Sequence, residues 1–205
     1  MVIQQFCLRL NSVSPLTIET QTALLDLLLI HQPAGKYAAG YRQMEKAYKA
    51  GKVHAIGLSN FNKAQIEELL SLCEVNPTVL QTELHPYHQK PEMKAFLKEN
   101  GIVPQAWYTL EHGDKALLQE SLFAQLGEKY GKYAPQIILR RNIRSSSIVI
   151  PGSKNPEHIK ANFDRFDFAL TDAEMVPPVD EQKRKTFFAC PDAWTDIGYA
   201  EKLHN

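Results

Sequence analysis

The chain has 205 residues, of which 44% are hydrophobic and 22% charged, and its 23 basic side chains balance 23 acidic ones. This composition is typical of a globular protein, and the neutral balance argues against general binding to nucleic acid or to an anionic membrane surface. Three cysteines at spacings that match no metal motif argue against a metal site and a secreted disulfide framework, and no apolar run approaches the roughly 20 residues of a membrane span. We expect a cytoplasmic protein.

Short apolar stretches alternate with amphipathic ones along most of the chain. Residues 1–20 keep neither helical nor strand periodicity, and we predict no structure for them. Strands are predicted at 25–30, 53–58, 79–84, 102–107 and 148–150. Helices are predicted at 41–49, 64–72, 115–130 and 155–162, after Pro91 and Pro135, and briefly after a Thr171–Glu174 capping box. Strands that alternate with helices indicate βαβ units and a parallel sheet.

The first of these strands ends abruptly at His31 and a proline. In parallel α/β folds the carboxyl ends of the strands carry the chemistry, so His31 is a candidate catalytic residue. The alternative is a loop histidine that is hydrogen-bonded to backbone. No strand is followed by a glycine-rich dinucleotide fingerprint, a phosphate loop or a complete nucleophile elbow, which argues against Rossmann dehydrogenases, P-loop enzymes and α/β-hydrolases.

Four motifs stand in register along the chain: residues 26–33 (DLLLIHQP), 51–61 (GKVHAIGLSNF), 81–87 (QTELHPY) and 150–158 (IPGSKNPEH). Their order and spacing closely resemble the aldo-keto reductases, which are (β/α)₈ barrels that reduce carbonyl compounds with NADPH. The resemblance runs from about residue 24 to about residue 176. It implies an α/β fold that is a partial TIM barrel, with about five of the eight parallel strands. We therefore divide the chain into an N-terminal segment, 1–23, a partial reductase domain, 24–176, and a C-terminal tail, 177–205.

The resemblance also implies roles for individual residues. His31 matches the histidine that orients the carbonyl, and Trp107 matches the aromatic that stacks on the nicotinamide ring, the alternative being a core aromatic that closes a strand. The positions that match the side chains hydrogen-bonded to the nicotinamide carboxamide are Ser59, Asn60 and Gln81.

Phosphate binding is altered relative to the family. Ser153 and Asn162 match its adenosine-phosphate site, but Gly152 replaces the usual lysine and His158 the usual arginine, while Lys154 is a displaced charge. We expect NADPH as cofactor, with NADH as the alternative, and no metal.

The family's aspartate, tyrosine acid and lysine come from βα units that precede the matched motifs, and nothing in residues 1–24 resembles them. We therefore expect a reductase of small aldehydes or ketones that is impaired or inactive. The alternatives are a noncatalytic cofactor-binding protein that associates with a partner, and a nonfunctional partial product. Protonation of the alkoxide by His31 is a further alternative.

A sheet of about five strands would leave two open edges and an uncovered apolar interior. We expect the N-terminal segment to cover an edge, two copies to associate through the edges, or the chain to fold poorly. His85 and His88 are interpreted as loop residues rather than metal ligands. Arg141 stands where the family usually has a tryptophan.

Overall fold

The computed structural model describes residues 5–8, 24–113 and 115–175. The strands are β1 Gln5–Leu8, β2 Leu25–Ile30, β3 Val53–Ser59, β4 Val79–Glu83, β5 Val103–Trp107 and β6 Ile148–Val149. The helices are α1 Tyr37–Lys49, α2 Lys63–Leu72, α3 Pro91–Glu99, α4 Lys115–Leu118, α5 Ser121–Tyr130, α6 Ala134–Arg144 and α7 Pro156–Phe163, with 3₁₀ turns at Glu111–Gly113 and Ala173–Met175. The predicted α/β fold of parallel strands with flanking helices is confirmed, and the strand order follows the chain order.

The strand β1 was not predicted from the sequence. Its four residues pair in parallel with β2, from Gln5 opposite Leu27 to Leu8 opposite Ile30. One edge of β2 is therefore covered by a segment that precedes it in the chain, which is the first of the three outcomes expected for the open edges.

A first compact unit includes the described residues up to Gln81 together with 95–102. Its strands are parallel, with Leu28 opposite Ile56 and Leu58 opposite Leu80. All four of these side chains are fully buried. The apolar run of β2 is thus buried on both faces, as expected for a parallel sheet covered by helices.

Two side chains of α1 fix the connection between α2 and β4. The hydroxyl of Tyr41, which is fully buried, donates to the carbonyl of Val75 at 3.0 Å. The buried carboxylate of Glu45 accepts the backbone N–H groups of Glu74 at 2.7 Å and Val75 at 2.8 Å. One carboxylate thus satisfies two backbone donors of this connection.

A second compact unit contains 82–94 and 103–175 of the described residues. Its strands β5 and β6 are parallel, with Gln105 opposite Ile148 and Ala106 opposite Val149. Its helices bury a core that consists of Leu117, Phe123, Leu126, Ile137, Ile138 and Leu170.

The prediction of one continuous helix at 115–130 is wrong, because the chain leaves the helical conformation between α4 and α5. Glu120 is extended there, with φ −55° and ψ 131°, and begins the new helix. Its carboxylate accepts the hydroxyl of Tyr87 at 2.6 Å. A contact from a distant loop therefore accompanies the break, and helical periodicity does not report such contacts.

Only half of the capping box predicted at Thr171 forms, because the Thr171 hydroxyl donates to the Glu174 carboxylate at 2.9 Å and the Glu174 N–H donates to the Thr171 carbonyl at 3.2 Å instead, and the pair opens a 3₁₀ turn rather than a helix. Oε2 of Glu174 accepts the Thr171 N–H at 2.7 Å. The guanidinium of Arg141 donates to the carbonyls of Glu174 at 2.7 Å and Met175 at 2.9 Å. Arg141 thus closes the end of the turn from the side of α6.

Within the described residues, no helix combines the length and apolar character that crossing a membrane would require.

Candidate functional site

Residues at the carboxyl ends of β2 and β3, together with Gln81 of β4, lie in the first unit and bring four of the predicted site residues together. Parallel register sets Ile30 opposite Leu58 and Ser59 opposite Gln81. The backbone N–H of Asn60 donates to the carbonyl of Gln81 at 2.9 Å. Because neighbouring parallel strands end at the same side of the sheet, His31, Ser59, Asn60 and Gln81 form one polar cluster, called here the strand-end cluster.

Asn60 organises the strand-end cluster through its side chain. Its Nδ2 donates to Oγ of Ser59 at 3.1 Å and to the carbonyl of His31 at 3.3 Å. The backbone of Asn60 is left-handed, with φ +61°. Asparagine tolerates this conformation better than most residues, so a residue with a polar side chain can occupy the turn after β3.

The donors and acceptors of the strand-end cluster complement a primary carboxamide. The Ser59 hydroxyl carries a proton to donate, Oδ1 of Asn60 is an acceptor, and the amide of Gln81 is both. Ser59 is fully buried and Gln81 is 8% exposed, whereas His31 and Asn60 are half-buried. Polar groups placed in this way can recognise an amide group such as that of nicotinamide.

Trp107 ends β5 in the second unit, and its ring is half-buried. Its carbonyl accepts the N–H of Leu84 at 3.2 Å, and its ring lies 5.9 Å from that of Tyr108 at an interplanar angle of 61°. The exposed part of the indole is aromatic surface, on which planar rings can stack.

The predicted phosphate residues lie on and before α7, also in the second unit. Oγ of Ser153 accepts the N–H of Asn155 at 3.1 Å, and the Asn155 side chain caps the helix by accepting the N–H of Glu157 at 2.9 Å. His158 is exposed, while Asn162 is buried at 7% exposure one helical turn further on. Only His158 of these two therefore presents its side chain to solvent.

Sequence reasoning missed a buried cluster of ionisable residues in the second unit. The His85 ring lies between Glu83 and Glu111, with nitrogen–oxygen distances of 3.0 and 2.7 Å. Burial lowers the pKa of His85, but the two carboxylates outweigh this effect and raise it above its usual value. The spacing of Glu83 and His85, two apart at the end of a strand, is the only signal of the cluster in the sequence, because Glu111 comes from a distant loop.

No group of three or more histidine, cysteine, aspartate or glutamate side chains that could hold a metal ion occurs in the part of the chain that the structure describes.

Residues 18–181 match the model of the aldo/keto reductase family. The chain belongs to the aldo/keto reductase family. It is 40% identical over 156 residues to the glyoxal reductase of Bacillus subtilis, which covers 76% of this chain and 56% of that protein. It is 36% identical over 164 residues to the 9,11-endoperoxide prostaglandin H2 reductase of Trypanosoma cruzi, with 78% and 58% covered.

Solved structures of aldo-keto reductases share the fold. The aldo-keto reductase of Bombyx mori in complex with NADP has a TM-score of 0.70 and 30% identity, covering 75% of this chain and 56% of that one. This member of the aldo/keto reductase family thus spans little more than half the length of the relatives it matches.

Proposed function

We propose that this aldo/keto reductase chain binds NADP(H) and acts in the reduction of small aldehydes or ketones. The observation that carries the proposal is the strand-end cluster, whose polar groups complement a carboxamide. The complex of the Bombyx mori relative with NADP supports the choice of cofactor. The reductase names of the relatives support the reaction class.

In this proposal, Ser59, Asn60 and Gln81 hold the nicotinamide carboxamide, and Trp107 stacks on the ring. When bound, NADPH supplies a hydride to the carbonyl carbon of the substrate. His31 donates a hydrogen bond to the carbonyl oxygen, which orients it and stabilises the charge that develops there. The oxygen must then receive a proton.

The tyrosines of α1 are poor candidates for that proton donor. The Tyr37 hydroxyl donates to Glu68, and burial together with this carboxylate raises the pKa of Tyr37 to about 12. Tyr41 is fully buried, donates to Val75, and has a pKa raised by burial. A general acid works best with a pKa near the working pH, so we propose that turnover by this chain is weak.

In this proposal, the residues that would contact the adenosine phosphate favour NADPH over NADH only modestly. Ser153, Lys154, His158 and Asn162 would contact the adenosine phosphate. A single imidazole at His158 lacks the two parallel donors with which an arginine grips a phosphate. We therefore propose that NADH binds with comparable affinity.

Cofactor binding without turnover is the second candidate function. It is favoured because the Tyr37 and Tyr41 hydroxyls are hydrogen-bonded to Glu68 and Val75, and cofactor binding, unlike reduction, requires no acid.

Thermal unfolding with and without NADPH tests cofactor binding. At about 100 times the Kd, a ligand that binds only the folded state adds about 2.7 kcal/mol of stability and must raise the Tm. Ser59→Ala should abolish the rise, while Ser71→Ala, at an exposed position of α2, should preserve it. An unchanged Tm in the unaltered protein would contradict the proposal.

Consumption of NADPH with a small aldehyde separates the two candidate functions. We expect slow turnover that His31→Gln abolishes. Cofactor binding with no turnover at all would instead establish the noncatalytic candidate.

A further inference from the structure

The buried Glu83–His85–Glu111 cluster has no part in the proposed chemistry. Oε1 of Glu83 lies 3.0 Å from Nε2 of the His85 ring, and Oε1 of Glu111 lies 2.7 Å from Nδ1, on the other side of the ring. The three side chains are 3%, 1% and 8% exposed. Two carboxylates on opposite ring nitrogens make this an ion-paired cluster rather than a site that would chelate one ion.

Three aromatic rings of the described residues also lie near His85, and one of them, His88, is itself titratable. The rings of Tyr87 and His88, in the loop after β4, lie 6.3 and 5.8 Å from it, and that of Tyr108, after β5, lies 5.9 Å from it. Lys90, in the same loop, donates to Thr82 at 2.7 Å. Glu83 and Glu111 are therefore the anionic groups that control the charge of His85.

The cluster is complete only when His85 is protonated. A neutral imidazole carries no charge and has one N–H, so one of the two carboxylates would face a ring lone pair, whereas an imidazolium places a positive charge between both carboxylates. The two carboxylates raise the pKa of His85 against the effect of its burial. Loss of the proton would leave two buried carboxylates without a cation between them.

Glu111 connects the cluster to the predicted nicotinamide-stacking residue. The segment from Trp107 to Gly113 runs from the end of β5 through the first 3₁₀ turn, and the N–H of Glu111 donates to the carbonyl of Tyr108 at 3.0 Å. Tyr108 and Glu111 both have left-handed backbones, with φ +61° and +46°. Such conformations persist in residues other than glycine only where the surroundings hold them.

We propose that Glu83, His85 and Glu111 form a charge lock that fixes the segment from Trp107 to Gly113 on the end of β4, and that deprotonation of His85 releases it. These three are positioning residues that act through Trp107. The consequence for cofactor binding rests on the proposed function, but the lock itself does not.

The sign of the pH dependence follows from the raised pKa. The lock contributes fully below the ordinary histidine pKa and is lost as the pH rises through the higher pKa of His85 in the folded protein. Trp107 should then be held firmly in mildly acidic solution and loosened in alkaline solution.

Fluorescence of Trp107 provides a direct readout. The sequence contains two tryptophans, so Trp194→Phe leaves Trp107 as the only one. In this protein without cofactor, titrated from about pH 6 to about pH 9, we expect one emission transition with a midpoint above the usual histidine value. Emission that is flat over this range in folded protein would overturn the lock.

Glu111→Gln in the same background tests the cause of the transition. It keeps the shape of the side chain and removes its charge, so the midpoint should fall, and NADPH affinity at low pH should drop to the value that the unaltered protein shows at high pH. Glu128→Gln, on the exposed face of α5, is the matched control and should keep the original midpoint. An unchanged midpoint in Glu111→Gln would overturn the proposal.

The two proposals fail in distinguishable ways. An emission transition in a protein that binds no NADPH at any pH supports the lock and contradicts the proposed function. Tight NADPH binding with flat emission contradicts the lock and supports the proposed function. The titration of Trp194→Phe leaves the buried cluster intact, so it decides the matter even if Glu111→Gln fails to fold.

Discussion

A single side chain connects the ends of two strands in the strand-end cluster. The amide of Asn60 donates to Ser59, at the end of β3, and to the carbonyl of His31, just after β2. Its own N–H donates to Gln81 of β4. The position of Asn60 thus depends on both its side chain and its left-handed backbone, and substitutions can separate the two.

Asn60→Gly should weaken NADPH binding about fivefold, because it removes a side chain whose hydrogen bonds contribute on the order of 1 kcal/mol. Glycine adopts a positive φ without strain, so the backbone should stay in place. Asn60→Ala loses the same hydrogen bonds and adds roughly 1 kcal/mol or more of backbone strain. NADPH titration and thermal unfolding of both variants check this. An unaltered NADPH affinity in Asn60→Gly would show that the Asn60 side chain takes no part in cofactor binding.

Gly57 is required by a close approach between β3 and β4. A Cβ at this position would lie 2.5 Å from the carbonyl oxygen of Val79 and 2.8 Å from Cδ2 of Leu29. Gly57→Ala should therefore destabilise the protein by about 1–3 kcal/mol, because backbone must move to admit the methyl group. Gly152→Ala, where a Cβ would meet nothing within 4 Å, is the control. Chemical denaturation measures both, and equal stability of the two variants would contradict the close packing.

At the scale of elements, the short turn Ala173–Met175 is held by side chains from other elements. Its Glu174 accepts from Lys129 at 2.6 Å, from Tyr130 at 2.8 Å and from the Thr171 N–H at 2.7 Å. A three-residue 3₁₀ turn has little intrinsic stability, so these contacts from the end of α5 determine its position.

Acid should loosen this turn. The Lys129 ammonium and the Thr171 N–H lower the pKa of Glu174 to about 2, from a usual value of 4.5. Since the folded-state pKa is the lower one, the stabilisation is complete above the usual value and is lost as the pH falls toward about 2. The free energy of unfolding should fall over this range less steeply in Glu174→Gln than in Glu128→Gln. Identical slopes would show that the ion pair contributes nothing.

The elements illustrate what the sequence can and cannot predict. The sequence predicted the apolar strand β2 and the helices α3 and α7, which begin at prolines. Burial and helix capping show in residues that are close together in the chain, so local patterns report them. Strand β1 was not predicted. Its described contribution is backbone hydrogen bonding to β2, which any residue except proline can make, so no pattern of residue types marks it. The break before α5 was missed because it goes with a contact to Tyr87, far away in the chain.

At the scale of the whole molecule, the candidate site also divides into a part that local sequence patterns predict and a part that only the folded chain brings together. Parallel strands that end side by side made it predictable that His31, Ser59 and Gln81 would lie together. The roles of these residues, and of Trp107, Ser153, His158 and Asn162, stay predictions. The charge on His85 was beyond sequence reasoning, because it depends on a carboxylate that only the folded chain brings to the ring.

The identity of strand order and chain order has a consequence for biosynthesis. In β1 to β4, each strand pairs with the one synthesised just before it. A strand that emerges from the ribosome therefore finds its neighbour already made, and from β2 to β4 each connection to be closed contains a single helix. Pairing between strands that are neighbours in the chain lets the sheet grow in the direction of translation.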